Sequence, residues 1–335
     1  MILKASIYTL ILAIAPLVHA HAQGGDVSVT MEDSTESTDV KVARTDEMFF
    51  EALSARRHED NQKAVSLLKQ LISERPMHAA AWFELARLQI DEKNMDASIV
   101  SIQKAIAIDT GNKWYRETYA GMLVSKKNFA EAAQVYARLT RSEPRDHDYP
   151  QKAAEYFDKS GNKEEALKYL DIALQRNIDD EDVSLQKVQL LLEMKRPEKA
   201  AAVVQQMITS DPRNGRYYQL LGDLYDENNM PAKATELYEQ AVKKLSDDPS
   251  VQIGLAGHSL RIGDTSGYKK WLKKAIMNQS LESSEQVDLL TKYIQSLMGE
   301  TAALAEALPL AAQLVAQDAK DPARLAFYGE ILEAA

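Results

Sequence analysis

Six histidines are the first place to look for metal or acid–base chemistry: His19, His21, His58, His78, His147 and His258. A zinc site needs ligands at close, regular spacing, such as two histidines one helical turn apart, and these residues do not supply it. His19 and His21 fall in a leader described below, and the other four read as solvated loop or helix-end residues. The densest acidic run, Asp179-Asp180-Glu181-Asp182, lacks the alternating carboxylates and following glycine of a calcium loop. It stands where a helix should begin, so capping and favourable interaction with the helix dipole account for it. There is no phosphate-cradling Gly-Lys-Ser/Thr loop, no Gly-x-Ser-x-Gly elbow and no cysteine. The expectation is therefore no enzyme, no metal, no cofactor and no small-molecule ligand.

What must position any functional surface is a repeat. From Thr45 to Glu282 the chain returns to one helix-turn-helix pattern every 34 residues, seven times, with new units at Ala79, Lys113, His147, Glu181, Gly215 and Pro249. The eighth position reads Ala52, Ala86, Ala120, Ala154, Val188, Gly222 and Ala256. The twentieth reads Ala64, Ser98, Ala132, Ala166, Ala200, Ala234 and Tyr268, and the twenty-fourth is large and apolar throughout, from Leu68 and Ile102 to Tyr238 and Leu272. Small residues at facing positions let two helices approach while the large one fills the next groove. Proline falls at position 32 in alternate units, as Pro76, Pro144 and Pro212, where it should stop the second helix.

The set Tyr218, Leu221, Gly222, Tyr225, Ala234, Tyr238, with a second opening at Trp82, Leu85 and Ala86, resembles the tetratricopeptide repeat family in period and pattern. That resemblance implies an all-α, right-handed solenoid of stacked helix pairs that binds a protein or peptide on its concave side, along the first helices. The positions that usually face such a peptide (2, 5, 9, 12 and 13) supply Phe49, Arg56, Phe83, Arg87, Trp114, Glu155, Asp158, Leu185, Asp223 and Asp226 as groove candidates. An aromatic and partly basic end leads into an acidic stretch, inviting an apolar anchor followed by Lys or Arg. The Lys and Asn set by which some relatives grip an acidic tail is missing: positions 5 and 9 read Phe49 and Leu53, Phe83 and Arg87, Glu117 and Gly121, Gln151 and Glu155.

Outside the repeats, Lys4, the apolar stretch Ala5 to Val18 and the small-x-small site Ala20-His21-Ala22 form a secretory signal, residues 1–22. The stretch is shorter than the roughly 20 residues of a membrane span, so the mature chain is expected to be periplasmic, with secretion as the second choice and no membrane insertion. Residues 23–44, rich in Ser, Thr, Asp and Glu, read as a flexible acidic linker. The formal charge of −10 argues against nucleic acid as a partner. After Glu282 the frame is expected to slip by five residues into a weaker repeat, Asp288 to Asp321 within 283–321, followed by one helix at 322–335. A solenoid normally closes with a polar cap, so this end suggests a longer protein or a covering chain. Two functions follow: an exported scaffold in a cell-envelope assembly, secretion or export complex, or a module that positions a catalytic or membrane domain beyond residue 335.

Overall fold

The computed structural model describes residues 38–296 and 303–334, and the signal segment lies outside them. Among the described residues every regular element is an α-helix. They are α1 (Thr38–Arg57), α2 (Asn61–Glu74), α3 (Ala79–Asp91), α4 (Met95–Ile108), α5 (Lys113–Ser125), α6 (Phe129–Ser142), α7 (Asp148–Lys159), α8 (Lys163–Arg176) and α9 (Glu181–Glu193). There follow α10 (Pro197–Ser210), α11 (Gly215–Glu227), α12 (Pro231–Lys244), α13 (Pro249–Arg261), α14 (Thr265–Ile276), α15 (Ser283–Ser296), α16 (Ala303–Gln317) and α17 (Pro322–Ala334). The helix α1 begins at Thr38, so residues 38–44 of the expected linker are helical; the rest of that segment lies outside the described residues.

The chain divides between Leu67 and Leu68 into two compact units. In the first, α1 buries Met48, Ala52 and Ala55, the start of α2 buries Ala64, and Lys63 pairs with Glu51 at 2.8 Å. The second unit is an all-α repeat solenoid in which each helix packs on the next, and α11 also meets α13 and α15 meets α17. All the position-24 side chains are buried, including Ile102, Leu170, Val204 and Tyr238.

Helix starts recur as the capping chemistry requires. Asn94, Asn128, Asn162 and Asp264 each accept a hydrogen bond from a backbone N–H in the first turn of a second helix. In the two units with Arg196 and Met230 at that position, Pro197 and Pro231 take the first helical position instead. Just before each cap the chain turns through the left-handed region, at Glu59, Lys93, Lys127, Gly161, Lys195, Asn229 and Gly263. Only two of these are glycine; at the others the turn holds a side chain where one is disfavoured by about 1–2 kcal/mol.

Two expectations need correction. Proline does not decide where the second helix ends: α2, α6 and α10 stop before Pro76, Pro144 and Pro212, but α4, α8 and α12 stop at the same frame position ahead of Thr110, Ile178 and Ser246. The side-chain acceptor at position 34 is common to both sets: His78, Asp146 and Asn214 after the prolines, and Asn112, Asp180 and Asp248 after the others. Nor does the frame slip straight after Glu282, because α15 starts at Ser283, in step with Pro249. The extra residues fall between α15 and α16, and α17 then starts at Pro322, five residues late.

Candidate functional site

Along the first helices of the second unit, the candidates meet three different environments. Glu155 and Asp158 stand on one face of α7, opposite Gln189 and Glu193 of α9, and the two helices enclose an open cleft of about 390 Å³. Its floor is Ala154, Leu170 and Leu190 and its walls include Asp148, Gln151, Lys152, Lys159 and Gln186. The Lys159 ammonium pairs with Glu155 at 2.6 Å and lies over the Tyr156 ring at 5.4 Å. Asp158 faces Lys163 at 3.3 Å, and Lys163 also pairs with Glu193. The cleft is thus solvated, apolar at its base and framed by more carboxylates than ammonium groups. Lys152 and Gln186 occupy frame position 6, which the sequence pattern did not single out.

Nearer the N-terminal side of this unit, Phe83 packs on Tyr115 with ring centres 4.6 Å apart, and the Arg87 guanidinium lies 5.7 Å from the Phe83 centroid. Arg87 also pairs with Glu84 at 3.0 Å. Trp114 is 62% exposed, with the Lys113 ammonium 5.1 Å from its ring centre. Leu185 is exposed as well. In the first unit, Phe49 is half-buried and touches Phe50, a neighbour more exposed than itself, while Arg56 is half-buried.

The α11–α13 junction overturns one candidate. Asp226 is buried, its side chain only 1% exposed, so it is not a groove-surface residue. His258, expected to be solvated, is buried beside it and its Nδ1–H donates to both Asp226 oxygens, at 2.9 and 3.0 Å. The His258 Nε2 lies 2.8 Å from Thr235 Oγ1, and that oxygen lies 3.0 Å from the Pro231 carbonyl, the second acceptor within reach of its single hydrogen. A hydroxyl, an imidazole and a carboxylate in series form the sequence used in nucleophilic catalysis. Here all three are held on packed helices and the imidazole is 3% exposed, so the series is an interhelical strut.

The nearby Asp223 is half-buried, and its carboxyl is pushed up to about 6, chiefly by burial and then by the Glu227 charge, with Arg261 acting in the opposite sense. The approach of the two helices follows from glycine: a Cβ at either Gly222 or Gly254 would overlap the Tyr238 hydroxyl. The acidic run behaves as a cap, with Asp180 accepting from the Val183 N–H at 3.1 Å. No helix among the described residues is long and apolar enough to cross a membrane.

Three family models described as tetratricopeptide repeat match residues 51–113, 159–224 and 215–243. Among solved structures, the chain is similar to that of Naa15/Naa10 bound to HypK-THB, with 13% identity and a TM-score of 0.52, over 87% of this chain and 50% of that one. This chain therefore spans half of that relative, and at such identity the likeness concerns the fold alone. It is also similar to a tetratricopeptide repeat protein from Parabacteroides merdae, with 17% identity, TM-score 0.39, and 74% and 98% of the two chains covered. YrrB, a TPR protein with an unusual peptide-binding site, shares 18% identity at a TM-score of 0.37, over 55% of this chain and 95% of its own. No curated protein matches the chain significantly. With its 34-residue helix pairs and these matches, the chain belongs to the tetratricopeptide repeat family, whose repeats serve as a scaffold for protein interaction.

Proposed function

We propose that this protein is an exported scaffold that holds a protein or peptide partner in the concave groove of its first helices, within a cell-envelope assembly, secretion or export complex. The observation that carries the groove reading is the α7–α9 cleft, where frame positions 2, 5, 9, 12 and 13 of α7 converge on positions 9 and 13 of α9. A partner segment with an apolar side chain for the Leu170 and Leu190 floor and a Lys or Arg for the carboxylates fits it. The aromatic candidates Phe83 and Trp114 extend the same reading towards the N-terminal side. Export rests on Lys4, the apolar stretch to Val18 and Ala20-His21-Ala22. The tetratricopeptide fold is generally a non-catalytic scaffold, which agrees with an interaction role.

The test is site-specific photocrosslinking from Gln189 in the full chain within cells. The double charge reversal Glu155→Lys with Asp158→Lys is expected to cut the crosslinked product by about ten-fold through electrostatic mismatch. It should change folding stability by less than about 0.5 kcal/mol, because both groups are solvent-facing. Undiminished crosslinking would remove the groove reading. N-terminal sequencing of the mature protein checks export separately, with Gln23 expected as the first residue.

A further inference from the structure

A contact repeats where one unit meets the next. The side chain at frame position 4 of a first helix donates a hydrogen bond to the carbonyl at position 32 of the preceding unit. Trp82 Nε1–H donates to Pro76 at 2.8 Å, the Arg116 guanidinium to Thr110, the Tyr218 hydroxyl to Pro212 at 3.2 Å and Gln252 Nε2–H to Ser246 at 3.0 Å. The side chains differ in chemistry but share reach and a donor. In the fourth unit, where position 4 is Pro150, Arg176 of the second helix bridges the same junction to other carbonyls, those of Thr140 at 2.6 Å and of Asp146, on either side of position 32.

The fifth unit departs from this. Its position 4 is Ser184, two bonds long and too short to span the distance covered by Trp82 or Tyr218, and the position-32 residue is Ile178, 77% exposed. Where the units of Trp82, Arg116, Tyr218 and Gln252 carry that strut, a cleft of about 560 Å³ opens here between the α8–α9 turn, α9 and the end of α10. Leu174, Val203 and Met207 line it with apolar surface, and Asp179, Glu181 and Asp211 stand around it. That volume falls within the ordinary range of ligand sites. None of the positions that make up the groove of first helices lines it.

We propose that this cleft receives a Trp or Tyr side chain from a basic segment of a partner protein, which supplies in trans the strut that the fifth repeat lacks. The shape argument comes from Trp82 and Tyr218, which show what the equivalent slot accepts in the neighbouring units: an aromatic body against apolar side chains and an N–H or O–H turned to the position-32 carbonyl. The charge argument comes from the three carboxylates, which favour Lys or Arg beside the aromatic residue. This second surface is separate from the groove, so either can fail without the other.

The probe is acetyl-Lys-Trp-Lys-amide, titrated into the isotopically labelled full chain and followed by NMR, against acetyl-Lys-Ala-Lys-amide. The tryptophan peptide is expected to bind about ten-fold tighter than its alanine control, and Ser184→Trp, which fills the slot from within, to lose about ten-fold. The surface pair Asp179→Lys with Asp211→Lys is expected to weaken it by about ten-fold without disturbing the fold. Asp158→Lys in the groove should leave it within about two-fold, being remote from the cleft. Equal affinity for the two peptides, or affinity insensitive to both the Ser184 and the charge variants, would overturn the proposal. So would a loss caused by Asp158→Lys, which would place the peptide in the groove. Sedimentation should show no self-association that Ser184→Trp abolishes; if it does, a second copy of this chain is the occupant and the assignment to a separate partner falls.

Discussion

Glu155 and Asp158 on α7 occupy the same two frame positions as Asp223 and Asp226 on α11, yet one pair frames an open cleft and the other is drawn into the stack. The cause lies on the facing helix. Where α9 presents Gln186 and Leu190, α13 presents Gly254 and His258. Glycine admits the Tyr238 ring between the helices, and histidine gives the second carboxylate a partner. With Leu190 opposite, burying a carboxylate would leave it unpaired at a cost of several kcal/mol, so Asp158 stays at the surface beside Lys163. Frame position alone therefore does not make a residue part of the groove; the residue across the junction decides.

The largest effect expected from this comparison is at Asp226. Replacing it with alanine leaves the buried His258 donor without its acceptor, which should cost about 3 kcal/mol, whereas Asp158→Ala should cost less than about 0.5 kcal/mol. Equal losses in denaturant unfolding would break the contrast. Next is Gly222→Ala. Its gain in helix propensity is up to about 1 kcal/mol, but overpacking against Tyr238 costs about 2–3 kcal/mol. The net expectation, about 1–2 kcal/mol of destabilisation, can be read from the same unfolding curves.

The smallest effect is a pH dependence. The Asp223 carboxyl is raised from 3.8 to about 6 in the folded protein, so the native state holds its proton more tightly than the unfolded chain does. Its contribution to stability is complete below about 3.8 and is lost as pH rises through about 6. Asp223→Asn should therefore flatten the fall in stability across that window and stabilise the protein at pH 7. The carboxyl is only half-buried, so solvent screening holds the gain to no more than about 1 kcal/mol. A variant whose melting temperature follows pH as steeply as the parent would show that another group titrates there.

Much of the architecture was legible because small residues recur at fixed intervals. The eighth positions are all buried, and so are the twentieth except the half-buried Tyr268, with Ala86, Ala120, Ala132 and Ala166 among them. The first helices α3, α5, α9, α11 and α13 start on the residues that begin their repeat units, while α7 starts one residue later. The candidate groove was legible only in part. Glu155 and Asp158 share a cleft, but Lys152 and Gln186 came from a position outside the family pattern, and Asp226 was hidden by a histidine 32 residues further on. Nothing adjacent to Asp226 in the chain announces that partner.

By itself the sequence determined helix pairing, period and the identity of the close-packed positions, because these depend on side-chain size repeated at a regular interval within a short stretch of chain. Three matters were decided only by tertiary structure. They are the left-handed turn forced on Lys93, Lys127 and Lys195, the burial of the Asp226–His258 pair, and the cleft left where Ser184 stands in place of a longer side chain. Each depends on what a neighbouring helix presents across an interface, and that pairing fixes the energy of a turn, a charge or a void more strongly than the local residue does.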